Sequence, residues 1–215
     1  MADAPSARTA VGRHPERGVY DRAVIDAILD EGLICHVGFV VDGQPFVIPT
    51  IHARLGEMLY LHGSPVSRMM RSLGGGFAAC VTVTLLDGVV LARSVYDSSM
   101  NYRSVVVLGT ASEITDPDEK LRALEAIVEH VARGRWADAR RPSAAEFKAT
   151  SVVGMPLSEC SAKVRTGQPI DGPEDVGLPI WAGVVPLRMV AGAPESAPDL
   201  PAGIAVPAYV ARYTR

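Results

Sequence analysis

The stretch Leu59-Tyr-Leu-His-Gly-Ser-Pro-Val-Ser-Arg-Met-Met-Arg71 gathers the residue types that hold an anion. A strand runs out at His62-Gly63 into a helix opened by Ser64-Pro65, whose first turn offers two hydroxyls, Ser64 and Ser67, and the guanidinium of Arg68. Unpaired amides and the positive dipole end at a helix start both favour a phosphate. The bland alternative is a plain Ser64 cap with Arg68 solvated. His62, beside this turn, is the better histidine for ligand contact and the one candidate for catalysis. A two-residue turn at Leu55-Gly56 would set Arg54 opposite Glu57, His52 opposite Leu59 and Pro49 opposite His62. The two histidines then lie on opposite faces, which argues against a shared metal. His52 is a polar barrel or interface residue on this reading, and His14, His36 and His130 have no context that raises them.

Asn101-Tyr-Arg-Ser104 puts a polar quartet at the mouth of an apolar strand, where Arg103 and Ser104 can reach an anion or a polar ring edge. Trp181 is a core ring or a platform for a flat ligand. The triple glycine 74–76 follows a helix and reads as a C-cap, not a phosphate loop. No local Ser-His-acid set or paired carboxylates support hydrolysis. Cys35, Cys80 and Cys160 are far apart and in no CxxC pattern, so they read as buried small hydrophobes in a reducing compartment.

The elements that must position these groups are mostly strands. Asp21 caps a short amphipathic helix with Val24, Ile25, Ile28 and Leu29, stopped by Gly32. Strand signals follow at 33–40, an Asp42-Gly43 hairpin, 44–52 and 58–62, read as a three-strand meander. After the helix to Leu73 come strands at 78–85, 89–94 across an Asp87-Gly88 turn, and 102–114. Asp116-Pro117 opens the longest helix, and Ser143 to Glu146 is a capping-box pattern. Strand-like runs at 151–157, 161–165 and 180–190 complete the set. Six to eight short strands with helices inserted between them predict a mainly β fold, an antiparallel barrel with helical decorations. The division expected is an N-terminal arm over 1–20, a barrel domain over 21–190 and a Pro/Ala-rich arm over 191–215.

Length and composition bound the function. The 215 residues, 48% hydrophobic and 21% charged, suffice for a packed core without metals or disulfides. Twenty-one basic against twenty-four acidic side chains leave no field for nucleic acid. No signal-peptide core or membrane-length apolar run is present, so a cytoplasmic protein with no membrane partner is expected.

Six phrases in register carry a resemblance: Arg13-His-Pro-Glu-Arg-Gly-Val-Tyr20; Phe46-Val-Ile-Pro-Thr50; Leu59 to Ser64 with Ser67-Arg68-Met69; Asn101-Tyr-Arg-Ser-Val-Val-Val-Leu-Gly109; Ser161-Ala-Lys-Val-Arg-Thr-Gly167; and Pro179-Ile-Trp-Ala-Gly-Val-Val-Pro-Leu187. The chain resembles the pyridoxamine 5′-phosphate oxidase-like split barrels that bind FMN, in the branch of nitroimidazole-resistance-type and flavin-nucleotide-binding proteins. The resemblance implies a homodimer with FMN in clefts between subunits. Pro49 and Thr50 would line the flavin, and Leu61, His62, Gly63 and Ser64 would meet its ribityl chain or ring edge. Ser67, Arg68 and Met69 stand where the family grips the phosphate with Ser-Arg-Lys, so one cation is missing and Arg68 must work with Ser67, backbone amides or Arg103. Ser104 stands at a flavin-edge position, and Trp181 resembles the tryptophan supplied by the partner subunit. Tyr96-Asp-Ser98 stands where the close relatives have a histidine pair, which implies a changed substrate or a weakened activity. The activity implied is electron transfer through FMN to or from a small nitro, quinone or pyridoxine-like molecule. The alternatives are a non-catalytic flavin- or haem-binding protein using the same cleft, with His62 or His52 as axial ligand, and a deazaflavin in the same place.

Overall fold

The computed structural model describes residues 3–214. Among them lie strands β1 (Gly18–Val19), β2 (Ile34–Val41), β3 (Gln44–Ile51), β4 (Ala53–Leu55), β5 (Met58–Gly63), β6 (Ala78–Leu91), β7 (Ser99–Thr110), β8 (Ser112–Glu113), β9 (Ser151–Pro156), β10 (Cys160–Arg165) and β11 (Gly183–Pro186). The helices are α1 (Arg22–Glu31), α2 (Arg68–Gly74), α3 (Pro117–Val131), α4 (Arg135–Asp138), α5 (Ala144–Lys148) and α6 (Ala208–Ala211). One sheet runs β1-β10-β7-β6-β2-β3 with β11 also on β6, and the other runs β4-β5-β9-β8. The mainly β, antiparallel fold with inserted helices is the one the strand grammar predicts.

The local signals explain much of this. Asp42 and Gly43 both take positive φ, 51° and 78°, the geometry of a two-residue hairpin turn, and zip β2 onto β3 from Val41↔Gln44 to Ile34↔Ile51. The Asp21 carboxylate caps α1 by accepting from Ala23 and Val24 N–H, and Asp116 caps α3. Ser143 and Glu146 form the expected reciprocal capping box on α5.

Four expectations are corrected. The three-strand meander does not form: β3 stays with β2, and β4 starts the second sheet, pairing with β5 around a Gly56-Glu57 turn in which Arg54 faces Leu59. The break falls at His52, fully buried, with its Nε2 bonded to Leu29 O at 3.0 Å, a contact that takes the backbone out of β3. Ser67, not Ser64, caps the helix after β5: its hydroxyl accepts from Met70 N–H at 3.2 Å, and 64–67 close a preceding turn through Ser67 N–H to Ser64 O. Residues 78–91 are one strand with an irregularity between Leu86 and Gly88, because β6 pairs with β2 over 79–83 and with β11 over 88–91. The last strand shrinks to 183–186: Leu187 N–H still reaches Asp87 O, and the Pro-rich chain beyond has no strand partner until Tyr213 donates to Val131 O at α6.

One core joins the sheets: Val37, Val81, Val83, Val105 and Val107 of the first meet Leu59, Leu61, Val153 and Met155 of the second, closed by Ile25, Ile28 and Leu29 of α1 and Met69, Met70 and Leu73 of α2. A smaller cluster seats Ala123 and Ile127 of α3 on Ala53, Tyr60 and Val152. Gly32 lets α1 meet β6, since a Cβ there would lie 2.3 Å from Cγ1 of the fully buried, χ1-stiff Val83. Gly32→Ala is therefore expected to cost about 1–3 kcal/mol, measured by urea unfolding, and an unchanged midpoint would contradict this packing.

Core and outer faces also separate the thiols. Cys35 points into the core and burial pushes its thiol up to about 12, whereas Cys80 is half-buried on the opposite side of the sheet, 4.0 Å from Thr82 Oγ1. A disulfide reagent at pH 8 should label Cys80 in the native protein and reach Cys35 only on unfolding. Equal native rates at both would contradict the assignment. No helix among the described residues is long and apolar enough to cross a membrane.

Candidate functional site

Strand β5 delivers its last residues to the start of α2. Leu61 faces the barrel core and is almost wholly buried. By alternation His62 falls on the other face with Tyr60, opposite Val152 of β9, on the side that α3 covers. Its ring is half-buried, with Nδ1 buried and without a hydrogen-bond partner, and burial lowers its pKa. The imidazole is therefore neutral at pH 7. Gly63 permits the turn, because a Cβ there would meet Met70 Cγ at 2.9 Å.

Ser64 is exposed in the turn, and Ser67 holds the α2 cap while keeping its own O–H free to donate. Arg68 lies 4.3 Å over the Phe46 ring, which ties α2 to β3, and it makes no ion pair among the described residues. A guanidinium held by a ring and lacking a carboxylate is available to an external anion. Met69 sends its side chain into the core and supplies packing instead of charge. On β3, Thr50 shares a face with Cys35, while Pro49 sits opposite His36 on the outer face.

Arg103 belongs to a different cluster. Its Nε and Nη2 donate to Asp87 at 3.0 and 2.8 Å, and Glu31 takes the other edge, so hydrogen bonds to Glu31 and then Asp87 hold the guanidinium pKa well above its ordinary range. Phe46 is in register with Phe39 and Ala79, and Arg103 with Leu85. Six residues of β6 thus separate the two arginines, about 20 Å. Within one chain Arg103 does not join Arg68 on a single phosphate. Ser104 donates to Lys163 O at 3.3 Å, and Trp181 is 65% exposed, its indole folded over Gly183.

Other groups carry no local signal in the sequence. His52 packs on His130 with ring centroids 4.9 Å apart, and His130 Nε2 bonds Gly32 O at 2.8 Å. Tyr60 donates to Glu119 at 2.9 Å, and its hydroxyl is raised to about 12 by burial and then by that carboxylate. Arg165, nearly buried, donates to Asn101 Oδ1 and Gly167 O. These pairs join residues 59 to 98 positions apart or sit at a strand end, where no spacing rule applies. Among the described residues no three His, Cys, Asp or Glu side chains are grouped to hold a metal. Two clefts, about 790 Å³ between α1, α3 and α6 and about 560 Å³ among α3, α4 and α5, include none of the expected site residues. Ser64 and Arg68 are exposed, whereas His62 is half-buried at the end of β5.

Residues 21–164 match the family model described as pyridoxamine 5′-phosphate oxidase. The flavocytochrome Anf3 from Azotobacter vinelandii is 40% identical over 97% of both chains, with a TM-score of 0.92. An FAD and haem binding protein from Mycobacterium smegmatis is 38% identical over 90% of this chain and 95% of that one, TM-score 0.87. A 5-nitroimidazole antibiotic resistance-type protein from Bacteroides thetaiotaomicron is 26% identical over 68% and 86%, TM-score 0.58. None of the curated proteins matches.

Proposed function

Because the chain belongs to the pyridoxamine 5′-phosphate oxidase family, we propose that it is a homodimeric redox protein holding a flavin and a haem. The observation that carries the reading is the state of its five histidines. His14 pairs with Glu16, and His52 and His130 spend Nε2 on backbone oxygens. His36 and His62 make no hydrogen bond among the described residues, and burial lowers the pKa of His62. A neutral imidazole with a buried, unpartnered nitrogen, six residues before an arginine without an ion pair, could hold a haem iron. The two similar proteins of 40% and 38% identity are a flavocytochrome and an FAD and haem binding protein, which supports the same pairing.

The residues also bear on which flavin. A phosphomonoester such as that of FMN gathers about two negative charges at one phosphorus, yet here the expected lysine position is the buried Met69 and Arg103 is neutralised far away. Arg68 with Ser67 and Ser64 fits the more spread charge of a dinucleotide, so FAD replaces the FMN expected from the sequence. When bound, the flavin supplies exchange of a hydride for single electrons, and the haem iron supplies one-electron transfer. Arg68 would fix the phosphate end, Thr50, on the same face of β3 as Phe46, would line the flavin, and His62 would hold iron while desolvation keeps protons from its ring. Homodimerisation is supported by the apolar outer surface, with Ile34, Val40 and Val47 exposed on β2 and β3.

An anaerobic reductive titration of the purified protein tests this function. Two resolved groups, flavin and haem, should each take up electrons in constant proportion to protein. A flavin that reduces with no accompanying haem change would reduce the reading to a simple flavin oxidoreductase.

A further inference from the structure

Two short helices, α4 and α5, bury no residue of their own, yet each is fixed in place by polar groups. Glu129 of α3 accepts from Gly134 N–H and Trp136 N–H at 2.7 and 2.8 Å, which sets the start of α4. The capping box of Ser143 and Glu146 starts α5, and Arg140 reaches the same carboxylate with Nη1 and Nη2 at 2.9 and 2.7 Å. Helices of four and five residues have little stability of their own, so these bonds decide where the side chains of α4 and α5 stand. What they build with α3 is the cleft of about 560 Å³, walled by Leu121, Trp136, Pro142 and Phe147. That volume and that apolar, aromatic lining are of the kind that takes a small molecule.

The charges in the lining select the molecule. Asp118 and Glu125 flank Leu121 on one face of α3, and their carboxylates have no hydrogen bond or ion pair among the described residues. The cation of the lining, Arg141, lies 4.3 Å over the Trp136 ring, and Lys120 Nζ lies 4.5 Å over the Phe147 ring. Both rings thus already draw a cation to one face. Two carboxylates against one guanidinium leave the lining with net negative charge. A neutral or anionic guest would displace water from these carboxylates and give nothing back, whereas an ammonium group answers them.

We infer that this cleft is a second ligand site, which binds an organic cation with a flat apolar body, an aromatic monoamine in its simplest form. The ring of the guest lies against Leu121, Pro142 and Phe147, and its ammonium meets Asp118 or Glu125. The cleft shares no lining residue with the group formed by Arg68, β3 and His62, so the inference stands apart from the proposed flavin and haem.

The test is fluorine NMR of the purified holoprotein labelled with fluorotryptophan, with phenethylamine as the probe. Trp136 and Trp181 are the two tryptophans, and Trp136→Phe assigns their signals. The expected result is a saturable shift of the Trp136 signal with the Trp181 signal unmoved. Phenylacetate, the same ring carrying an anion, should bind at least about tenfold more weakly. Asp118→Asn with Glu125→Gln changes two exposed side chains, should leave the circular dichroism unaltered, and should raise the phenethylamine dissociation constant about fivefold or more. A Trp136 signal that ignores the amine, or that shifts on dilution of the protein alone because a second copy fills the cleft, overturns the inference. So does phenylacetate binding as tightly as the amine, or an amine affinity that the double substitution leaves unchanged.

Discussion

His62→Ala is expected to yield a folded protein that keeps its flavin and loses its haem spectrum. The side chain is half-buried at the end of β5, and removing it opens a small space beside α3 without touching the principal core, to which Leu61 on the other face contributes. Its loss removes an imidazole that has a buried Nδ1 without a hydrogen bond and a pKa lowered by burial. His36→Ala, on an exposed outer position of β2, is the control and should keep the haem band. Acid has the same sense as the substitution. A folded-state pKa below the ordinary value near 6.5 means that the neutral ring persists through pH 7 and that protonation at lower pH competes with iron. Haem absorbance should therefore fall as the solution is acidified below the ordinary imidazole range, while the contribution of the neutral ring to folding is lost in the same direction. A His62→Ala protein with an unaltered haem band would remove this residue as ligand.

Arg68→Ala is expected to weaken flavin binding by about two orders of magnitude, the scale of removing one partner of a desolvated charge pair. The reasoning starts from what the guanidinium lacks. Arg103, away from the candidate site, is tied to Glu31 and Asp87, whereas Arg68 has only the Phe46 ring beneath it. Arg68→Lys keeps a charge but loses the planar stacking and forked donors, so it should recover part of the affinity. Phe46→Leu removes the platform and should weaken binding less than the alanine at 68. Equilibrium quenching of flavin fluorescence measures all three, and an Arg68→Ala protein with parental affinity would move the phosphate site elsewhere.

How much of this was legible in the sequence depends on the range of the forces involved. Turns and caps are local, so Asp42-Gly43, Asp21, Asp116 and Ser143-Glu146 could be read directly. The strand set was legible too, but not its division between two sheets: the switch at His52 depends on a bond to Leu29 O, 23 positions away. Ser64-Pro65 looked like a helix start because both residues suit one, and Ser67 won because its hydroxyl meets Met70 N–H. At the site, Arg68 and His62 were visible as types in a spacing. The neutralisation of Arg103 was not, since Glu31 and Asp87 reach it from α1 and β6.

The measurement closest to the central claim is the identity and amount of chromophore released from the purified protein on denaturation, read by absorption and mass. The account predicts about one flavin per chain, with the mass of FAD, and haem in a fixed ratio to it. A colourless protein that takes up neither added flavin nor haem would contradict the assignment of Arg68, β3 and His62 as a redox-cofactor site.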